Sequence, residues 1–350
     1  MKVNFKHRQN KNYNFSRGKV RKFPIFNFGE SNICVTSDYV YLGVTFNYNN
    51  KFTKAIKKQL DQGQRAMFSM LVKARRLSLP IDIQCELFDQ IVLPVLLYGS
   101  EIWGYSSIEM LEVLFRKFIK KILKLHRSTP NGMIYGEIGK LCLQARVDKN
   151  MISYWLRLIM KEHTTLSYTF YSIALKLYDT GTYELNWLKR VKHILVNCGL
   201  SYIWDRQDDI DTNRAKIIIH SRIDDLETQK WYTSISTSPM CSMYNHFKQL
   251  FQFEKYLLLP DCKSRILLSK FRCRNMKLPI QTCTYLETSN ICTLCENNLV
   301  GDEYHYLLIC PALNLERSLY ISKYYYAFPS FEKMNQLMTT HSKKKLKKTL

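Results

Sequence analysis

Four residues near the C-terminus have the types and spacing to hold a metal ion. Cys292-Thr-Leu-Cys295 is followed after nine residues by His305 and after four more by Cys310. A two-residue gap lets one tight turn present two sulfurs, and His-x4-Cys fits a helical turn or a knuckle. Thiolates and imidazole then converge as a tetrahedral Zn²⁺ shell requires. Coincidence is a weak competitor. With 11 cysteines in the 350-residue chain, a C-x2-C arises by chance in about one chain in three, and the added His-x4-Cys lowers that to roughly one in a hundred. Four protein ligands fill the metal's shell, so the expectation is a structural zinc site, not a catalytic one. Cys34, Cys85, Cys142, Cys198, Cys241, Cys262, Cys273 and Cys283 lack such spacing and read as small buried residues.

Other chemistry is sparse. There is no Gly-rich phosphate loop and no G-x-S-x-G nucleophile turn. Asp205, Asp208, Asp209 and Asp211 cluster as two-metal sites do, but no strand pattern delivers them, and Arg206 and Arg214 flank the Asp208–Asp211 run. A surface acidic loop is the simpler reading. What dominates is charge. Lys+Arg number 52 against 29 Asp+Glu, giving +23, and a chain so basic calls for a polyanionic partner. The 46% apolar and 13% aromatic content excludes a disordered chain. A membrane span is not expected either: the most apolar run, 91–103, is interrupted by Pro94, Ser100 and Glu101 and is too short for a hydrocarbon layer of about 30 Å. Scattered cysteines, odd in number, imply reduced thiols and an intracellular location, nucleus or cytoplasm.

The elements that would position these groups are mainly helical. Residues 1–22 carry eight Lys/Arg and no acid, and β-type segments at 23–28, 33–35 and 39–46 suggest a hairpin or meander. From residue 52 the period changes. Ile56, Leu60, Gly63, Met67, Met70, Leu71, Ala74 and Leu77 mark the buried stripe of a long helix, with Lys54, Lys57, Lys58, Arg65, Lys73, Arg75 and Arg76 off it. A second helix starts near Asp82, a candidate N-cap, and meets Pro94, a candidate kink. The third, 108–125, buries Leu111, Leu114, Phe115, Phe118, Ile119 and Ile122 and turns Arg116, Lys117, Lys120, Lys121 and Lys124 outward. Thr129-Pro130-Asn131-Gly132 reads as a boundary. Helices are expected at 137–161, 167–178, 186–197, 215–231 and 244–258, with Gly181 and Gly199 as stops and 233–239 as a Ser/Thr-rich loop. Lys343–Lys348 holds five lysines in six residues, a basic tail or import signal.

Several segments, in one order, resemble the C-terminal part of reverse transcriptases of non-LTR (LINE-type) retrotransposons. Tyr39-Val-Tyr41-Leu42-Gly43-Val44 is similar to the family's primer-grip strand, and 91–104, ending Tyr98-Gly99-Ser-Glu101-Ile-Trp103-Gly104, to the helix and turn of its thumb. Thr129-Pro130-Asn131 with Tyr135-Gly-Glu137-Ile-Gly139 resembles the family's next segment. Trp187-Leu188 and Gly199-Leu-Ser-Tyr-Ile-Trp204 resemble the downstream helical region. Gly301-Asp302-Glu303-Tyr304-His305 through Cys310-Pro311 is similar to the terminal zinc knuckle, with Lys270-Phe-Arg272 upstream. The family's catalytic aspartates, including an aromatic-x-Asp-Asp turn, precede the primer grip. Here 38 residues precede Tyr39 and contain no Asp-Asp pair.

The resemblance therefore implies a truncated reverse-transcriptase-like chain without the catalytic palm: not an enzyme, but a nucleic-acid grip. It implies a mainly α fold with a small N-terminal hairpin or meander. The expected division is 1–48 (basic terminus and remnant palm strands), 49–130 (helical thumb-like bundle), 131–260 (further helical region), 261–322 (zinc knuckle) and 323–350 (basic tail). Expected partners are RNA, DNA or an RNA–DNA hybrid and other proteins of the element. Candidate contacts are Lys54, Lys57, Lys58, Arg65, Lys73, Arg75 and Arg76 of the first helix and Arg116, Lys117, Lys120 and Lys121 of the third, with Arg272 and Arg274 beside the knuckle, and Tyr41, Leu42 and Gly43 in the primer-grip role. Tyr304 and Tyr306 are candidates for stacking on bases, with at least one expected to pack beneath the knuckle instead. The alternative is a non-enzymatic helical zinc-containing scaffold or protein-interaction module. Purified chain given primer–template, Mg²⁺ and nucleotides is expected to give no extension product on a sequencing gel.

Overall fold

The computed structural model describes residues 11–12, 26–28, 31–35, 38–47, 49, 51–207 and 209–339. The basic N-terminus (apart from 11–12), Asp208 and the five-lysine tail lie outside them. Among the described residues the strands form two separate sheets. β1 (Lys11–Asn12) runs parallel to β3 (Ser31–Val35), which pairs antiparallel with β2 (Phe26–Phe28). β4 (Asp38–Tyr41) and β5 (Val44–Asn47) form a hairpin in which Tyr41 faces Val44. Its two turn residues, Leu42 and Gly43, have φ of +46° and +84°, the type I′ geometry whose twist suits a two-residue hairpin.

Helix α1 (Thr53–Arg76) buries Ile56, Gly63, Met67, Met70, Leu71 and Ala74 as its period predicts. Leu77 departs from the expected stripe. The helix ends at Arg76, so Leu77 leaves the periodic face and is exposed. A side chain at Gly63 would place its Cβ 2.2 Å from Leu96 Cδ2, so only glycine admits this close helix contact. The facing rod is α2 (Ile81–Leu87), a π-helical turn (Phe88–Val92) and α3 (Leu93–Leu96). Pro80, not Asp82, takes the N-cap position of α2. Pro94 lacks an N–H and would crowd the carbonyl four residues back, and the wide π turn lies where that carbonyl sits. After α4 (Ser100–Trp103), α5 (Glu109–Ile122) buries all six of its predicted apolar residues. Phe88 packs on Phe115 and Phe118 with ring centroids 5.2 and 4.2 Å away.

The helix expected over 137–161 is two, α6 (Asn131–Ile138) and α7 (Leu143–Ile159). Gly139 separates them at φ +59°, and a Cβ there would lie 2.4 Å from the backbone of Gln252 and Phe253. This close approach lets Glu254 N donate to Glu137 O at 2.9 Å. Helices α8 (Leu166–Asp179) and α9 (Asn186–Asn197) stop at Gly181 and Gly199, both left-handed, as expected. After α10 (Tyr202–Asp205), α11 (Thr212–Thr237) overrides the loop expected at 233–239. Buried Trp231 and Ile235 anchor it, and the hydroxyls of Thr233, Ser234, Ser236 and Thr237 bond back to carbonyls of the preceding turn. The Asp211 carboxylate caps this helix, accepting from Asn213 N and Arg214 N. The helix expected over 244–258 shrinks to α12 (Ser242–Phe247) and a 3-10 turn, Lys255–Leu258. The chain continues through α13 (Cys262–Arg272), α14 (Pro279–Leu286), α15 (Asn314–Tyr320), α16 (Lys323–Tyr326) and α17 (Phe331–Thr339).

A large core runs from Val44 to Leu257, and a smaller one joins Met133, Trp231 and Tyr244 to Cys273, Leu308 and Tyr325. Beside the smaller core lies a charge-balanced buried cluster. Arg272, on α13, pairs with Glu137 of α6 at 3.0 Å and with Glu254 at 3.1 Å, while Lys248 pairs with Glu254. Tyr244 and Tyr256 donate to the Glu137 carboxylate. Burial alone would raise the Glu137 carboxyl, but Arg272 beside it, with Lys248 and the Tyr256 hydroxyl, holds it below its ordinary value.

Because the folded carboxyl titrates below its unfolded value, this stabilisation is full above the unfolded pKa and fades as pH falls through the folded one. Glu137→Gln is expected to cost about 3 to 5 kcal/mol at pH 7 in urea unfolding. That difference should narrow as pH drops below 4.5, the ordinary carboxyl value.

Candidate metal centre and nucleic-acid interface

Cys292, Cys295, His305 and Cys310 converge, with their ligand atoms all within 4.8 Å of one another. Local backbone explains the convergence. Residues 291 and 300 bridge, Cys292 N donates to Leu299 O at 2.8 Å, and the tight turn between them presents Cys292 and Cys295. Leu294 N points at Cys292 Sγ, 3.4 Å away. His305 opens a single π-helical turn (His305–Ile309) whose first N–H is capped by Asp302, and Cys310 N closes it on His305 O. Behind the centre, buried Arg317 donates to Leu307 O and Cys310 O.

Cys292 Sγ lies 3.9 Å from Cys310 Sγ, and Cys295 Sγ 3.4 Å from His305 Nε2. His305 is buried and its Nδ1 has no hydrogen-bond partner. Burial pushes the Cys292 thiol up, but the Leu294 N–H, the Tyr306 hydroxyl and Cys295 N–H favour the thiolate, for a net value of about 6. Cys310 is pushed up to about 11 by burial and by the neighbouring sulfurs. Three sulfurs, one already inclined to the thiolate, surround an imidazole short of a partner. The cluster could hold a metal ion.

Its aromatic neighbours are engaged internally. Tyr304 stacks on Phe331 at 4.4 Å, and the Tyr306 hydroxyl faces Cys292, so both expected base-stacking rings serve the local packing. Arg272 does not take the nucleic-acid role its position suggests: it is 2% exposed and is consumed by Glu137 and Glu254. Arg274 is half-buried and donates to Ile280 O at 2.6 Å, so it braces the loop instead of projecting from it. Among the other cysteines, Cys262 is exposed and Cys142 and Cys283 are only partly buried, against expectation.

The basic rows fare differently. At 100° per residue, Lys54, Lys57, Lys58, Arg65, Arg75 and Arg76 of α1 fall within an arc of about 100° opposite its buried face, and Lys73 lies about 60° beyond. Lys57, Arg65, Lys73, Arg75 and Arg76 are exposed. Lys54 is ion-paired with Asp38 at 2.6 Å, and Lys58 Nζ approaches Gly43 O at 3.3 Å. On α5, Lys121 and Lys117 stand over the ring of Phe68 at 4.6 and 5.4 Å, drawing both helices into one surface. Arg116 and Lys120 do not join it. Arg116 is ion-paired with Glu109 at 2.5 Å, and half-buried Lys120, lowered by burial and by Arg116, donates to Arg127 O. Phe68 is the residue that periodicity alone passes over, and its displacement from the apolar stripe of α1 is the signal that could have found it.

Tyr41 and Leu42 are exposed at the tip of the β4–β5 hairpin, which Tyr98 clamps by donating to Leu42 O at 2.7 Å. The expected strand is therefore a strand and a turn. No described helix is long and apolar enough to cross a membrane. Comparison with protein-family models, with curated proteins and with solved structures finds no match.

Elemental analysis of the purified chain is expected to find one bound metal ion per molecule. Cys295→Ser, at the half-buried corner of the cluster, should carry none.

Proposed function

We propose that this chain is a non-catalytic nucleic-acid grip, related to the C-terminal part of non-LTR retrotransposon reverse transcriptases. The observation that carries the reading is the α1 stripe joined to α5 through Phe68. Its cations run along a 24-residue helix, about 36 Å long, which is close to one turn of B-form DNA at about 34 to 36 Å. Such a row neutralises phosphates without reading bases. Lys57, Arg65, Arg75, Arg76, Lys117 and Lys121 carry the contact. Partners in this reading are RNA, DNA or an RNA–DNA hybrid.

The segments that carry the family resemblance also meet in pairs. Tyr98 reaches Leu42 O, the Trp187 indole N–H donates to Glu101 O at 2.7 Å, and Glu137 holds Arg272. The role of the metal centre in this reading is structural, and zinc is the fitting ion. Zn–S bonds of about 2.3 Å and Zn–N bonds of about 2.0 Å set tetrahedral edges of about 3.8 Å between sulfurs and about 3.5 Å from sulfur to nitrogen. Two of the edges here, Cys292–Cys310 and Cys295–His305, are 3.9 and 3.4 Å, and all four ligand atoms lie within 4.8 Å of one another. Zinc would bind through Cys292, Cys295, His305 and Cys310 and order the surrounding turns.

Binding to a blunt RNA–DNA duplex, followed by fluorescence anisotropy, is expected to fall steeply with salt, with a log–log slope of about −5 for six neutralised phosphates. Lys117→Glu with Lys121→Glu should flatten that slope by about two. A salt-independent affinity overturns the reading. Equal binding of polyglutamate favours the protein-scaffold alternative.

A further inference from the structure

A cavity of about 660 Å³ opens where the C-terminal ends of α1 and α5 meet the start of α13. Leu79, Ile122, Leu258 and Ile266 contribute apolar wall, and no aromatic ring lines it. The charged side chains around it are Arg75, Lys121, Lys124 and Arg265, all of one sign. Two of these connect the cavity to the basic face: Arg75 belongs to the α1 stripe, and Lys121 also stands over Phe68. Arg265 is tethered by donating to Leu259 O at 2.6 Å, and its Nε is left without a hydrogen-bond partner. Gln84, held by its own bond to Leu79 O at 2.7 Å, adds a fixed amide to the lining.

An apolar interior with a purely cationic rim suits a flat apolar body carrying anionic charge at its edge. A pocket of a few hundred cubic ångströms is the usual size for such a ligand. Continuity with a phosphate-binding face selects among candidates of that kind. We infer that this cavity receives an unpaired nucleotide at the end of the gripped duplex, its base between aliphatic walls and its phosphate among Arg75, Lys121, Lys124 and Arg265. Enzymes that take bases out of the stack likewise hold them between apolar side chains. Aliphatic walls make few base-specific bonds, so the pocket should accept any base.

The inference rests on the reading of α1 and α5 as a nucleic-acid face, and the test separates the two. Fluorescein-labelled 12-base-pair RNA–DNA duplexes, one blunt and one with a three-nucleotide single-stranded extension, are titrated with the full chain. The extended duplex is expected to bind about tenfold tighter, roughly what burying a small apolar area between aliphatic walls supplies. Cys262→Trp, at an exposed residue on the cavity wall, should abolish the preference and leave blunt-duplex affinity within twofold. Uridine monophosphate should compete with the extension's advantage in the unsubstituted chain, which tests the pocket even if the variant fails to fold. Salt-sensitive blunt binding with no gain from the extension, or a preference that survives Cys262→Trp, overturns the pocket alone. Absence of duplex binding overturns the grip and the pocket with it.

Discussion

The second half of the fold depends on one buried ion pair. Arg272 has essentially no solvent, so its charge is tolerable only if Glu137 and Glu254 are already in place. An unpaired charge there would cost several kcal/mol. Glu137 comes from α6 and Glu254 from the segment that passes over Gly139, so the docked position of α13 depends on both. Asn275, just past α13, then accepts from His126 N and donates to Thr129, tying the stretch of chain before α6 to the same assembly. Lys248 completes the charge balance, and the rings of Phe247 and Tyr256 cover the guanidinium. The turns of the metal cluster, later in the chain, are built on this platform.

A different constraint positions the basic face. The close contact at Gly63 sets α1 against α3, and the clamp from Tyr98 to Leu42 fixes the hairpin on the same assembly. Phe68 then sits where two lysines of α5 can cover it. Cations on neighbouring helices repel, and a shared ring face offsets part of that by about 0.5 to 1 kcal/mol per contact at exposed sites. The outward stripe of α1 needs no such help. Its charges are hydrated, and beyond about 8 to 10 Å they are screened at ordinary salt. The face can therefore be both densely basic and stable.

Legibility in the sequence followed the range of the interactions. The apolar stripes of α1 and α5 and the stops at Gly181 and Gly199 are local patterns, and the structure reproduces them. The four-residue metal cluster is also local, spanning fewer than twenty positions. The burial of Arg272 is not legible locally, because its partner Glu137 lies 135 residues earlier and nothing nearby distinguishes a buried arginine from a surface one. The Ser/Thr stretch after Trp231 looked like a loop by composition. Its helix is imposed by burial of Ile235 and by back-bonding hydroxyls, which weak propensities could not forecast. Cys262 shows the converse: a residue type usually buried, placed at an exposed helix start beside a cavity.

The metal centre and the basic face thus answer to different physics. Around the cluster, the polar and aromatic groups expected to reach nucleic acid are turned inward: Tyr304 onto Phe331, the Tyr306 hydroxyl toward Cys292, Arg274 onto a carbonyl. Arg317, fixed on Leu307 O and Cys310 O, locks the turn that carries His305 and Cys310. An ion held in such a cluster would couple its binding to the ordering of these turns, as structural metal sites do when binding and folding are linked. Along α1 the reverse holds, because most of its cations have no carboxylate partner among the described residues and remain available to an external anion. The same +23 chain therefore uses buried Arg272 and Arg317 to build the fold and keeps most of the cations of α1 on the surface.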